Sequence, residues 1–211
     1  MYLYLLRHGQ SLNNANFDQQ RHHDPDLTEL GERQAVAFAD WFVQAQDTET
    51  MVHLQRQDPR RELRHPYTIS ELYCSPMRRA MQTARPLAKG LGLKPIVWPD
   101  IHETGGLFMH SPEGTVGYPG MTRSAILAEF LDYQPQERIS EDGWYTHPGE
   151  EPRDIAGQRV LGVADHLKQR ALDSTSKETA IMLVAHGDFI AILIRLLMGT
   201  AFDYPSYIWI N

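Results

Sequence analysis

Cysteine is almost missing from this chain: Cys74 is the single thiol in 211 residues. One thiol excludes an internal disulfide framework and a thiolate zinc cluster. Long apolar runs are missing as well, and none approaches the roughly 20 residues that span a bilayer. Cationic excess is also absent, with 20 Lys and Arg against 27 Asp and Glu and a net charge of −7. That balance excludes a generic nucleic-acid binder, whose affinity rests on clustered cations neutralising phosphates. It argues equally against docking on an anionic membrane. No secretory leader is evident, because Met1-Tyr-Leu-Tyr-Leu-Leu6 has no basic segment before it and runs straight into Arg7-His8-Gly9. The expectation is a soluble, cytoplasmic protein with no nucleic-acid or membrane partner. Oligomeric state is left open.

What is present is a core. Hydrophobic residues make up 42% of the chain, enough to bury a sizeable interior. Tyr2 to Leu6 and Thr179 to Val184 are short continuous apolar runs, the pattern of strands buried on both faces. Thr68 to Tyr73 and Ile96 to Trp98 read as further strands. Thr28 is placed as the N-cap of a helix whose apolar face is Ala35, Phe38, Ala39 and Phe42. Ser75-Pro76 reads as cap and first residue of the next helix, with Met77, Ala80, Met81, Ala84, Leu87, Ala88 and Leu91 as its buried stripe. Helices are also expected over Arg123–Leu131 and Ile155–Ala171. Phe189–Met198 is apolar nearly all round, and so is expected to be a buried helix.

Strands alternating with helices imply a three-layer α/β/α sandwich with a largely parallel central sheet. The expected organisation is one domain over 1–211. A cap at about 104–147 lies over the C-terminal strand ends, and a charged surface insertion occupies about 47–66.

The informative feature is an echo. Two apolar strands each end in a His-Gly pair, His8-Gly9 and His186-Gly187, and a helix follows each. In open parallel sheets, ligands bind outside the carboxyl ends of strands, near helix N-termini that favour anions. Glycine after each histidine would let backbone approach a ligand. A third strand, Thr68–Tyr73, leads to Arg78-Arg79. Helix geometry does not choose between those arginines, since both lie off the apolar stripe. With Arg7, two guanidiniums and two imidazoles would gather in an otherwise acidic protein, and forked Arg donors match phosphate oxygens. The ligand suggested is a phosphoryl group.

Four blocks in order carry a resemblance. They are Leu6-Arg7-His8-Gly9-Gln10-Ser11 with Asn14; Leu27-Thr28-Glu29-Leu30-Gly31; Ser75-Pro76-Met77-Arg78-Arg79-Ala80-Met81-Gln82-Thr83-Ala84; and Val184-Ala185-His186-Gly187. The chain resembles the histidine phosphatase superfamily, the phosphoglycerate mutase-like group, over nearly its whole length. Pro148-Gly149-Glu150 followed by Asp154 and Arg159 is similar to a further family block. Gln10 and Asn13 depart from the family, where Glu and an aromatic are common.

The resemblance implies the roles. His8 would be the nucleophile, with Arg7, Arg79 and His186 as the phosphate pocket. It selects Arg79 because Ala80-x-x-Thr83-Ala84 follows. Asn14, Ser11 and Gly187 would be substrate contacts. Glu103, in Ile101-His102-Glu103-Thr104-Gly105-Gly106, would be the general acid, with Glu113 as fallback.

The chemistry so implied needs a neutral imidazole attacking phosphorus and a carboxyl with raised pKa to protonate the leaving oxygen. No metal and no cofactor are expected, although His22, His23, His102, His110 and His147 are numerous; no pair has helical zinc-binding spacing with a supporting carboxylate. The reaction expected is hydrolysis of a small phosphorylated metabolite. Phosphoglycerate mutase-type transfer and a non-catalytic phospho-ligand module are the alternatives. The segment 104–146 has only two basic residues, Arg123 and Arg138, which favours water as acceptor over a second substrate oxygen.

Overall fold

The apolar runs become strands and the amphipathic stretches become helices in the computed structural model, which describes residues 1–16, 21–45, 68–173 and 180–199. The expected insertion at 47–66 lies outside the described residues. The elements run β1 (Tyr2–Arg7), α1 (Leu12–Ala15), α2 (Glu29–Gln44), β2 (Ile69–Cys74), α3 (Arg78–Leu91), β3 (Ile96–Val97), a 3-10 turn (Pro99–Ile101), β4 (Phe108–Ser111), β5 (Gly114–Gly117), α4 (Arg123–Glu129), β6 (Gln134–Pro135), α5 (Arg153–Asp173), β7 (Ala180–Ala185) and α6 (Gly187–Met198). Five strands pair in the order β1-β7-β2-β3-β6, while β4 and β5 form a separate antiparallel hairpin. Every pairing in the large sheet is parallel.

Strand β7 shows why the layers form. All of its residues are buried, as expected of a central parallel strand covered on both faces. Successive side chains alternate. Ala180, Met182 and Val184 enter one core with Phe42 of α2 and Ala80, Met81 and Leu87 of α3. Ile181, Leu183 and Ala185 enter the other with Val160, Val163 and Leu167 of α5 and Phe189 and Leu193 of α6. Two helical layers therefore sandwich the sheet.

Some local expectations are corrected. Helix α3 begins at Arg78, not at Pro76, and its N-cap residue Met77 supplies no side-chain cap. The Ser75 hydroxyl is shared between the Met77 N–H, at 3.3 Å, and the ring of His186, at 2.8 Å. The cap is made from a distant loop instead, where Asp24 Oδ1 accepts from the Arg78 N–H at 3.1 Å. Helix α4 stops two residues early, at Glu129. Helix α6 is buried on one side only: Phe189, Ile192 and Leu193 are buried, while Ile194 and Met198 are exposed. It packs on α5 and β1, so its apolar character exceeds what those neighbours cover.

Other expectations hold. Thr28 caps α2, accepting from Gly31 N at 3.0 Å, and α3 buries Ala80, Met81, Ala84, Leu87 and Ala88. In the region 104–147, Leu107, Ile126, Phe130 and Ile139 join the core on the α3 side. The Tyr133 hydroxyl donates to the Met81 carbonyl at 2.7 Å, tying this region to α3.

Candidate active site

Parallel register brings the two His-Gly pairs together. Arg7 pairs with Ala185 across β1 and β7, and the His8 N–H donates to the Ala185 carbonyl at 3.0 Å. The next residues out are therefore His8 and His186, whose ring centroids lie 5.0 Å apart. His8 Nδ1–H donates to the Gly9 carbonyl at 2.6 Å, which leaves Nε2 as the nitrogen with the lone pair. Burial, then Arg79 and Arg7, hold its pKa down to about 3. At neutral pH His8 is an uncharged imidazole with one nitrogen available for attack. His186 is fully buried and held well below the ordinary imidazole range, first by burial and then by Arg79 and His8. Its Nε2 meets the Ser75 hydroxyl, and its buried Nδ1 has no hydrogen-bond partner.

The adjacent arginines part company. Arg79 Nε donates to His8 Nε2 at 3.1 Å, and its side chain is 11% exposed. Arg78 turns away, with Nε on Asp26 at 2.8 Å and a forked pair to Glu129 at 2.7 and 2.8 Å. It is thus an ion-paired tie between α3 and the end of α4, and not the solvated surface cation its position on the helix suggests. Arg7 stands exposed on the wall of the same cleft.

Glu103 lines the cleft, whereas Glu113 sits exposed beside the β4–β5 turn and does not. Its Oε1 accepts from Phe189 N and Thr104 N, both at 3.0 Å. Its Oε2 accepts from Asp188 N at 3.4 Å. Burial raises its pKa, with the Asp188 carboxylate adding to the effect. The N-termini of α3 and α6 are thereby occupied by acids, α3 by Asp24 and α6 by Glu103.

Comparison with known proteins gives the family. The profile of the histidine phosphatase superfamily (branch 1) matches residues 3–57 and 53–210. The chain belongs to this superfamily. It is 29% identical over 206 residues to a glucosyl-3-phosphoglycerate phosphatase of Mycolicibacterium vanbaalenii, covering 95% of this chain and 76% of that one. A mycobacterial glucosyl-3-phosphoglycerate phosphatase solved in complex with VO3 superposes with a TM-score of 0.55 at 25% identity, covering 94% and 81% of the two chains. The ecdysone phosphate phosphatase of Bombix mori, solved with tungstate, shares the fold, with a TM-score of 0.58 at 17% identity and 99% and 82% coverage. This chain is a phosphatase.

The remaining named residues of this histidine phosphatase fall into place unevenly. Ser11 and Asn14 line the cleft and also cap α1, Ser11 Oγ donating to Asn14 Oδ1 at 2.9 Å. At Gly187 a Cβ would meet Arg7 Nε at an ordinary 3.6 Å, so space does not demand glycine there. At Gly9 it does, but for a different reason than ligand approach. A Cβ would lie 2.5 Å from the Gly31 carbonyl oxygen, because these two glycines let the His8 loop press on the start of α2. His22, His23 and His110 line the cleft, and His102 and His147 line a second cavity. Among the described residues no three His, Cys, Asp or Glu side chains are arranged to hold a metal ion.

Sequence reasoning missed two groups. Asp24 is 4% exposed, lies 3.9 Å from Arg79, and burial raises its pKa to about 6. Nothing in the local string DPD distinguishes it from its half-buried neighbour Asp26. Glu151 was passed over for Glu150, yet it is the one buried in a forked pair with Arg159, at 2.8 and 2.6 Å. The eight-residue spacing along a helix entry was its only signal.

Proposed function

We propose that this phosphatase is a metal-independent phosphomonoester hydrolase working through a phosphohistidine on His8. The observation carrying the reading is the His8 ring. Nδ1 is fixed to a carbonyl, Nε2 keeps its lone pair beside the Arg79 guanidinium, and the group is uncharged at neutral pH. Nε2 attacks phosphorus in line with the leaving oxygen, and the N–P bond forms as the P–O bond breaks. Charge on the equatorial oxygens is met by Arg7, Arg79 and the Nδ1–H of His186, so catalysis is mostly positioning and electrostatics. Arg79 would exchange its bond with Nε2 for bonds to phosphoryl oxygens. Glu103, whose pKa burial raises, gives its proton to the leaving alkoxide. As a carboxylate it then removes one from the water that cleaves the N–P bond.

Asn14, Ser11 and Gly187 are assigned to substrate contact, and residues 104–147 to a cap within a single domain. The cleft holds about 650 Å³, far more than a phosphoryl group needs and in the range of small-molecule sites. Its outer wall includes Phe108 and Met109, while Leu107 is core. Tyr118 stacks on His23 at 4.0 Å, linking the cap to the 21–24 loop. The substrate is accordingly a small metabolite with a substantial organic part, as the glycosylated phosphoglycerate of the relatives' names is. A cytoplasmic setting is part of the proposal, supported by the lone, buried, reduced Cys74.

The test is incubation with phosphoglycerates and a panel of phosphomonoesters in the presence of a chelator. Free phosphate supports the hydrolase. Isomerised phosphoglycerate identifies a mutase, and neither product a binding module. Alkaline quenching during turnover should trap label on His8.

A further inference from the structure

The network around Arg159 has no part in the reaction just described. Glu151, immediately before α5, takes two nitrogens of Arg159 in a buried fork, Nε on Oε1 and Nη2 on Oε2. The third nitrogen, Nη1, donates to the Asp100 carbonyl at 2.7 Å and to the His102 carbonyl at 3.1 Å. Those carbonyls lie on the N-terminal side of Glu103. On its C-terminal side the Glu151 N–H donates to the Gly105 carbonyl at 2.8 Å, and the Tyr145 hydroxyl joins at 3.1 Å. His102 closes the ring: its Nδ1–H donates to the Pro99 carbonyl at 2.7 Å, and its Nε2 stands 3.5 Å from Glu151. The backbone around Glu103 is thus gripped before and after the residue, from a helix packed against α6, whose N–H groups hold the Glu103 carboxyl.

We infer that Arg159, locked in place by Glu151, is the positioning residue for the general acid: it fixes the Glu103 carboxyl against the leaving oxygen. The inference rests on the assignment of Glu103 above. Three acceptors in different directions suit a planar guanidinium and do not suit an ammonium. A displacement of about 1 Å in a catalytic group costs roughly 100-fold in rate, so a grip on the backbone bears directly on proton delivery. The charged groups facing Glu103 are Asp188 from α6 and Arg79 from α3. Those facing Glu151 are Arg159 and His102.

The experiment compares kcat/KM for an alkyl phosphate, whose alkoxide needs a proton to leave, with that for p-nitrophenyl phosphate, whose phenolate does not. This parameter covers only the steps through phosphohistidine formation. Arg159→Lys should lower the alkyl value roughly 10- to 100-fold and leave the nitrophenyl value within about threefold. Glu151→Gln should shift the same ratio in the same direction, less far. In both variants the alkaline limb for the alkyl substrate should move to lower pH, because a loosened Glu103 is better solvated and loses its proton sooner. Equal losses on both substrates, or no loss, would overturn the inference. Glu103→Gln run alongside separates the two layers. If it shows no dependence on leaving group, the acid assignment itself falls. Should Arg159→Lys fail to fold by circular dichroism, the Glu151→Gln ratio decides.

Discussion

On the cleft side of residues 99–106, His8 and Glu103 are drawn away from water, Glu103 bonded to backbone N–H groups and His8 to the Gly9 carbonyl and the Arg79 guanidinium. On the other side Glu151 is drawn away too, but into the fork of Arg159. The pKa of Glu103 is raised, whereas that of Glu151 is lowered to about 2 despite the opposing push of burial, through Arg159 and His102. Arg78 and Arg79 repeat the contrast one residue apart. Asp26 and Glu129 raise the pKa of Arg78, while burial lowers that of Arg79 beside His8. Burial therefore gives only a direction, and the partner decides whether the shift it causes is reversed, as at Glu151 and Arg78, or left standing, as at Glu103 and Arg79.

The contrast breaks most sharply at His8. His8→Ala should abolish turnover, a fall of about 10,000-fold or more in phosphate release. Retained hydrolysis would remove the cleft from the reactive side altogether. Next is Glu151→Ala, which strands the Arg159 charge in a buried site. Such uncompensated charges cost about 3–5 kcal/mol, which urea unfolding should detect, while Glu151→Met with Arg159→Leu together should recover most of the loss. Recovery of stability without recovery of the alkyl-phosphate rate would separate packing from positioning.

A smaller effect comes through pH. The folded pKa of His8 lies near 3, below the ordinary 6.5 it regains on unfolding. As pH falls through 6.5, the unfolded chain binds a proton that the folded chain refuses, so stability falls until about pH 3. His186 and His102, also lowered, act in the same sense. Asp24, raised to about 6, acts oppositely, stabilising in acid and losing that contribution as pH rises through 6. Comparing wild type with His8→Gln isolates one imidazole. The variant should lose less stability between pH 6.5 and 5, by about 1.4 kcal/mol per pH unit at most, and a parallel pH dependence would mean His8 is not neutral in the fold. The smallest effect belongs to Arg78→Ala. Its partly exposed pairs predict about 1 kcal/mol of stability and phosphatase activity within about twofold of wild type. A large activity loss would place Arg78 on the reactive side.

Much of this could be read from the chain. Short continuous apolar runs named β1 and β7, and period-3.6 patterns named the buried helical stripes, since burial of apolar faces is the dominant driving force and leaves its trace in the sequence. The His-Gly echo named both imidazoles, because parallel strands that end alike deliver like residues to one edge. Neither the start of α3 nor the partial exposure of α6 was legible. The first depends on Asp24 arriving from a loop more than fifty residues away, the second on which neighbours cover the helix.

What the sequence by itself determined is the inventory: an acidic chain with one thiol, an alternating α/β pattern, and the imidazoles and guanidiniums a phosphoryl group calls for. Only the tertiary structure decided what draws Arg78 away from the cleft, which of two neighbouring glutamates is clamped, and which helix N-termini are taken by acids. Those choices depend on the direction of side chains and on the charge beside them at a few ångströms, and electrostatics at that range is set by spatial neighbours that no local spacing encodes.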